Sequence, residues 1–218
     1  MSGRLSVTGE FFCDYELILP ASEIQNEKNE LFILLHGYEQ NKDYMLKKVA
    51  PWLPQHAHVL IPNAPFPLPK RENDHFTLNF AWYFFDTLKQ QYFYAHKQAA
   101  NYLKQVIQQL KLLHLPATII GFSQGGYLAP FLGLEIKSCQ RIISLNAELR
   151  EFLLPERLAF NLDCVCGKDD TIVNPYMAKS AHDKLIQRGN HGTFYLVDGA
   201  GHGLGANMQA ALAKIINS

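Results

Sequence analysis

A chain of 218 residues with 48% hydrophobic content can bury a sizeable core. Its 20 basic residues are matched by 20 acidic ones, so no uncompensated basic face marks it for a polyanion and nucleic-acid binding is set aside. Met1–Glu10 lacks the apolar run of a secretory signal, and the most apolar stretch, Leu31–Leu35, is too short to span a bilayer; stable membrane insertion is not expected.

Along the chain, residues 5–19 alternate loosely and suggest one or two antiparallel strands at a sheet edge. Leu31–Leu35 is a continuous apolar run, as expected of a strand buried on both faces. His58–Ile61, Ala117–Ile120, Arg141–Leu145, Leu162–Cys166 and Thr193–Val197 repeat that pattern. Between them, helical patterns occupy about Ala95–Leu113, Gln124–Ile136, Pro175–Arg188 and Gly205–Ile216. In the first of these Tyr102, Val106, Leu110 and Leu113 recur at helical spacing and mark a buried stripe. Strands alternating with helices predict an α/β fold, a mainly parallel central sheet with helices on both faces. No repeat or linker divides residues 1–218, which read as a single domain with an aromatic-rich insert at about 63–94.

The four cysteines are Cys13, Cys139, Cys164 and Cys166. Cys164 and Cys166 lie two apart in a strand and so share a face, but no second pair or Cys/His cluster completes a zinc set. Buried or half-buried thiols are the simpler reading, no metal is expected, and unpaired spacing favours the reducing cytoplasm.

Gly121-Phe-Ser-Gln-Gly125 has the form G-x-S-x-G, directly after one predicted strand and directly before a predicted helix. That context is a nucleophile elbow. A strained turn projects Ser123 from the sheet edge, flanking glycines let strand and helix approach, and the helix N-terminus faces the oxyanion of acyl transfer. A serine hydroxyl needs an adjacent base oriented by a third group, and with this elbow the acid and then the histidine follow in the chain. Three histidines come after Ser123. His182 falls within a helical pattern and is expected to face solvent. His191 reads as a turn residue before a strand. His202, in Asp198-Gly-Ala-Gly-His-Gly203, follows the last strand, where α/β sheets gather their functional groups. For the acid, Asp169 and Asp170 follow the strand ending at Cys166, with Asp198 a more distant third, better suited to capping its turn.

Taken together, Leu35-His-Gly37, Pro62-Asn-Ala-Pro65, Ala81-Trp-Tyr83, Gly121-Phe-Ser-Gln-Gly-Gly126, Gly167-x-x-Asp170-x-x-Val173 and Gly201-His-Gly203 resemble the carboxylesterase/phospholipase family of α/β-hydrolases. That family includes acyl-protein thioesterases and small bacterial esterases. The resemblance implies the α/β-hydrolase fold, Asp170 rather than Asp169 as the acid, and an oxyanion hole made by the backbone N–H groups of Tyr38 and Gln124. It implies no cofactor. Two turns depart from the better-known eukaryotic members: Ile143-Ser-Leu-Asn-Ala147 stands where those carry a Leu-Ser-Gly type turn, and Gly203-Leu-Gly-Ala206 where they are Ser-rich.

The insert holds Phe66, Phe76, Phe80, Trp82, Tyr83, Phe84, Phe85, Tyr92, Phe93 and Tyr94. Either it forms an apolar wall or lid over an acyl site, with Trp82 binding substrate, or it is a satellite core beneath a loop. The expected activity is hydrolysis of a small-molecule ester or thioester through an acyl-serine. A serine peptidase or acyltransferase could use the same triad, and a non-catalytic binding protein could use the same fold. Acyl chain, leaving group and oligomeric state are not readable from these residues.

Overall fold

The computed structural model describes residues 9–20 and 29–216. Eleven strands and five helices follow in the order β1 (Tyr15–Ile18), β2 (Leu31–Leu35), α1 (Lys42–Lys48), β3 (His58–Pro62), β4 (Phe66–Glu72), β5 (His75–Ala81), β6 (Phe84–Asp86), β7 (Gln91–Tyr94), α2 (His96–Gln109), β8 (Ala117–Phe122), α3 (Gln124–Glu135), β9 (Cys139–Leu145), β10 (Asn161–Gly167), α4 (Pro175–Gln187), β11 (Phe194–Val197) and α5 (Ala206–Ile216). Seven strands form one sheet in the order β1-β3-β2-β8-β9-β10-β11. β1 runs antiparallel to β3 at the edge, and all other pairings are parallel. This is the α/β-hydrolase arrangement. The edge-strand expectation holds for Tyr15–Ile18, while residues 5–8 lie outside the described part.

Every residue of β2 is buried, because the sheet carries an apolar layer on each side. Side chains two apart share a face: Leu31, Ile33 and Leu35 join Leu103 and Ile107 of α2, Leu128 and Leu132 of α3, and Leu185 of α4. Phe32 and Leu34 point the other way, into a cluster with Met45 of α1 and Met208, Leu212 and Ile215 of α5. The two thiols of β10 share a face as expected; all four cysteines are free, with Cys139, Cys164 and Cys166 buried and Cys13 half-buried. No helix among the described residues is long and apolar enough to cross a membrane.

Three local differences from the sequence pattern have physical causes. α2 stops at Gln109 rather than near Leu113 because Lys111 adopts a left-handed conformation, φ 60°. Its N–H bonds to Gln108 O and that of Leu112 to Ile107 O, a Schellman cap that lets Leu110 and Leu113 stay on the core. The deepest stripe of α2 runs through Ala99, Leu103 and Ile107, about one position away from the expected one, with Val106 on its flank. The insert is ordered: β4 pairs with β5 and β6 with β7 as two antiparallel hairpins. Asn73, at φ 52°, opens the two-residue turn between β4 and β5. Pro67 and Pro69 are tolerated in β4 because a two-stranded ribbon leaves one edge of each strand unpaired.

Candidate active site

Ser123 sits between β8 and α3 with φ 49° and ψ −116°, a conformation that L-residues rarely adopt. Close packing forces it. A Cβ on Gly121 would lie 2.2 Å from Gly125 O, and one on Gly125 would lie 2.4 Å from Leu35 O. Only glycine at both places lets β8 turn directly into α3 while α3 presses on β2. The Ser123 N–H donates to Leu145 O at 2.8 Å, and its carbonyl accepts the Tyr127 N–H at 3.0 Å as the first bond of the helix.

The loop after β11 brings His202 over this turn. His202 Nε2 lies 3.1 Å from Ser123 Oγ, and His202 Nδ1 lies 2.8 Å from Asp170 Oδ2. The other oxygen of Asp170 is occupied: Oδ1 accepts the N–H groups of Ile172 and Val173 at 2.8 and 2.9 Å. That carboxylate is fully buried and its orientation is set by its own turn. Asp169 shares the loop but stays exposed, and its backbone N–H ties to Ala200 O at 2.9 Å. Asp198 points to solvent and pairs with Lys168 at 2.7 Å. Of the three carboxylates considered, Asp170 alone meets the imidazole.

His191 is exposed in the connection between α4 and β11. His182 corrects the expectation: it is buried, and its Nε2 donates to Leu162 O at 3.0 Å. α4 lays that face on the sheet, and burial pushes the pKa of the ring down.

Beside Ser123 the turn after β2 carries His36 to Gln40. Gly37 N–H donates to Gln40 Oε1 at 2.9 Å and Glu39 N–H to Phe80 O at 3.1 Å. The N–H groups of Tyr38 and Gln124 have no acceptor among the described residues, the latter because it opens α3. Two free amides therefore flank the serine turn. His36 underlies them. Burial lowers its pKa to about 4, and the neutral ring uses both nitrogens: Nδ1–H on Gly37 O at 2.7 Å, and Nε2 accepting the Ala64 N–H at 3.1 Å.

Of the two readings left open for the insert, wall or satellite core, Trp82 takes the packed one, and it is not an exposed substrate-binding side chain. It is 0% exposed, within the core. Its indole N–H donates to His36 O at 2.8 Å, and the ring lies 4.8 Å from the His36 imidazole. The side chain of Gln124 bridges from the serine turn to the same segment, accepting the Trp82 N–H at 2.8 Å and donating to Tyr83 O at 2.9 Å. The insert thus braces the serine turn through Trp82 and Tyr83.

Several residues that hold the site were not singled out from sequence. Gln40 and the Gln124 side chain belong here, as does Asn146. His36 was quoted only as part of a motif; its signal is the polar residue directly after an apolar strand. Tyr44 of α1 stacks on Phe122 at 5.6 Å and accepts the Leu204 N–H at 3.2 Å, and Phe122 lies 5.3 Å from the His202 ring. Among the described residues no group of three or more His, Cys, Asp or Glu could hold a metal ion.

Residues 20–218 match the family model described as phospholipase/carboxylesterase. Comparison with curated proteins finds no matching relative. Among solved structures, esterase PE8 is similar at a TM-score of 0.71 and 21% identity, covering 94% of this chain and 98% of that one. A carboxylesterase from Mesorhizobium loti is similar at 0.68 and 17% identity, covering 94% of each chain. Zea mays acyl-protein thioesterase 2 is similar at 0.67 and 16%, covering 94% of this chain and 97% of that one.

Two stability measurements check this layer. Trp82→Phe deletes the only donor that the indole supplies to His36 O and should cost about 1–3 kcal/mol in urea unfolding, as expected for a buried acceptor left unpaired. A loss under about 0.3 kcal/mol would show the bond to be unimportant. His36 binds its proton less tightly folded, at about 4, than at its ordinary 6.5. Stability from this group is therefore full above pH 6.5 and drains as pH falls toward 4. The loss approaches about 3 kcal/mol, at about 1.4 kcal/mol per pKa unit. Burial, and secondarily the Arg150 charge, also lowers His96 to about 4, so the comparison is wild type against His36→Gln at pH 7 and pH 4.5. The stability gap between the two proteins should narrow by about 2–3 kcal/mol at the lower pH. A constant gap would refute the buried neutral imidazole.

Proposed function

The chain belongs to the phospholipase/carboxylesterase family of α/β-hydrolases, and from that premise we propose that it cleaves carboxylic esters or thioesters of small or acyl-chain substrates through an acyl-serine intermediate. The observation that carries the proposal is the continuous hydrogen-bonded line from Asp170 through His202 to Ser123, at 2.8 and 3.1 Å.

In this mechanism His202 Nε2 takes the Ser123 hydroxyl proton as Oγ attacks the carbonyl carbon of the substrate. The tetrahedral oxyanion is received by the backbone N–H groups of Tyr38 and Gln124, which are left unspent while their neighbours' amides are bonded elsewhere. His202 then returns the proton to the departing alkoxide or thiolate. A water repeats the sequence to release the acid and restore Ser123. Asp170 holds the Nδ1–H tautomer and stabilises the imidazolium while it exists.

The substrate is a small ester or thioester. The names of the solved neighbours, a carboxylesterase and an acyl-protein thioesterase among them, support including both leaving groups in an assay. Four unpaired thiols favour a reducing cytoplasmic setting.

A fluorophosphonate probe should label Ser123 and no other serine, and Ser123→Ala should abolish labelling. Against p-nitrophenyl esters of graded length and one thioester, Asp170→Asn should lower kcat roughly 10⁴-fold, the size seen when a triad carboxylate is neutralised. Asp169→Asn should change it far less. An adduct on a different serine would sink the nucleophile, and the reverse order of effects would sink the acid.

A further inference from the structure

The acid and the base reach Ser123 on two separate loops, and something must fix one loop against the other. The turn after β9 is where this chain departs from the Leu-Ser-Gly pattern, and Asn146 lies in it. Asn146 is 0% exposed and has φ 46°. That left-handed backbone suits Asn, Asp or Gly and few others.

Its side-chain amide is directed at the two loops. Its N–H donates to Val165 O at 2.9 Å, tying the turn to β10. Oδ1 accepts the Gly167 N–H at 2.8 Å, at the root of the loop that carries Asp170. Nδ2 donates to Gly201 O at 3.2 Å and to His202 O at 2.5 Å, on the loop that carries the imidazole. The orientation of the amide is dictated by its partners, since an N–H needs the oxygen and two carbonyls need the NH₂ group. The residue before it, Leu145, supplies the carbonyl that holds the Ser123 N–H. One turn therefore anchors all three loops.

We propose that Asn146 is a positioning residue for the reaction, clamping the acid loop to the histidine loop so that His202 stays aligned between Asp170 and Ser123. The proposal rests on the serine-hydrolase reading for its effect on rate, but the clamp has its own readout. A carboxylic side chain at 146 keeps the acceptor for Gly167 and offers no N–H to the two carbonyls. A serine hydroxyl has only one hydrogen to donate. Only an amide of this length satisfies both sides.

The test compares Asn146→Gly, which keeps the left-handed backbone and removes the clamp, with Asn146→Asp, which keeps the shape and the Gly167 bond. The control is Asn190→Gly. Asn190 is another buried asparagine, bonded to Leu158 N–H, Glu156 O and Leu185 O away from the site. The first readout is the far-downfield proton NMR signal of an imidazole Nδ1–H held on a carboxylate. The second is the split between kcat and KM on a p-nitrophenyl ester, with thermal melts alongside.

Both Asn146 variants should lose the downfield signal and lower kcat by roughly 10²-fold, the effect of about 1 Å of misplacement, with KM changed by less than about threefold. Asn190→Gly should lower the melting temperature yet keep signal and kcat. If Asn146→Gly fails to fold, Asn146→Asp carries the comparison alone. A signal and kcat that survive in Asn146→Asp, or that fall equally in Asn190→Gly, would overturn the assignment. The proton signal does not depend on turnover. An unmodified protein inert to probe and esters would defeat the hydrolase reading, while loss of the signal in the Asn146 variants would still support the clamp.

Discussion

The backbone of Ser123, held at φ 49° where the chain passes from β8 into α3, is the constraint on which the rest of the site depends. Such a conformation costs on the order of 1–3 kcal/mol and persists only where surrounding structure over-determines it. Here the fixing contacts can be named. The serine N–H is held by Leu145 O, and Gly125 brings α3 against the carbonyl of Leu35 with no room for a side chain. β8 lies in the interior of the sheet, with Ile119 buried in one apolar layer and Ile120 in the other. Neither face can yield without opening a core.

The same packing sorts the histidines. His36, His96 and His182 are buried, and burial makes their protonated forms costly enough to lower each pKa. They serve as neutral rings: His36 and His182 as hydrogen-bonding parts, His96 stacked on Phe131 at 4.3 Å. His202 differs in keeping its side chain partly exposed with a buried carboxylate at Nδ1. In the proposed reaction this is the ring that must carry a transient positive charge, and it has the counter-ion to bear it.

The aromatic insert braces the serine turn. Its first hairpin bridges back to the turn after β2 through Gln40 and Phe80, and its next residues are clamped by the Gln124 side chain. Trp82 is fixed from both directions, which explains its complete burial within a segment whose hairpins otherwise stand largely open to solvent. The amide of Gln124 is unspent because it opens α3, while around Tyr38 the N–H groups of Gly37 and Glu39 are taken by Gln40 and Phe80.

Much of this was legible in the chain alone. Apolar runs such as Leu31–Leu35 declare strands buried on both faces, since only an enclosed parallel sheet tolerates five consecutive apolar side chains. Gly121 to Gly125 declare the elbow as a motif between strand and helix; the steric demand on Gly121 comes from Gly125 itself, while that on Gly125 comes from distant Leu35. The order of Ser123, Asp170 and His202 follows from strand succession together with the family resemblance. Tertiary structure alone decided what depended on distant partners. His182 reads as a solvent-facing helical residue until Leu162 O is 3.0 Å away. The pairing of the insert into two short hairpins does not show in the chain alone, because their strands are half exposed and carry a weak period-two signal. Trp82 looked equally suited to wall or core, since an aromatic ring serves both, and the hydrogen bond to His36 O settles its burial. Asn146 carries no signal in its own segment, because its partners lie on β10 and on the loop after β11, 19 or more residues away in the chain. Periodicity and turn chemistry are local, whereas a clamp exists only once the loops have been brought together.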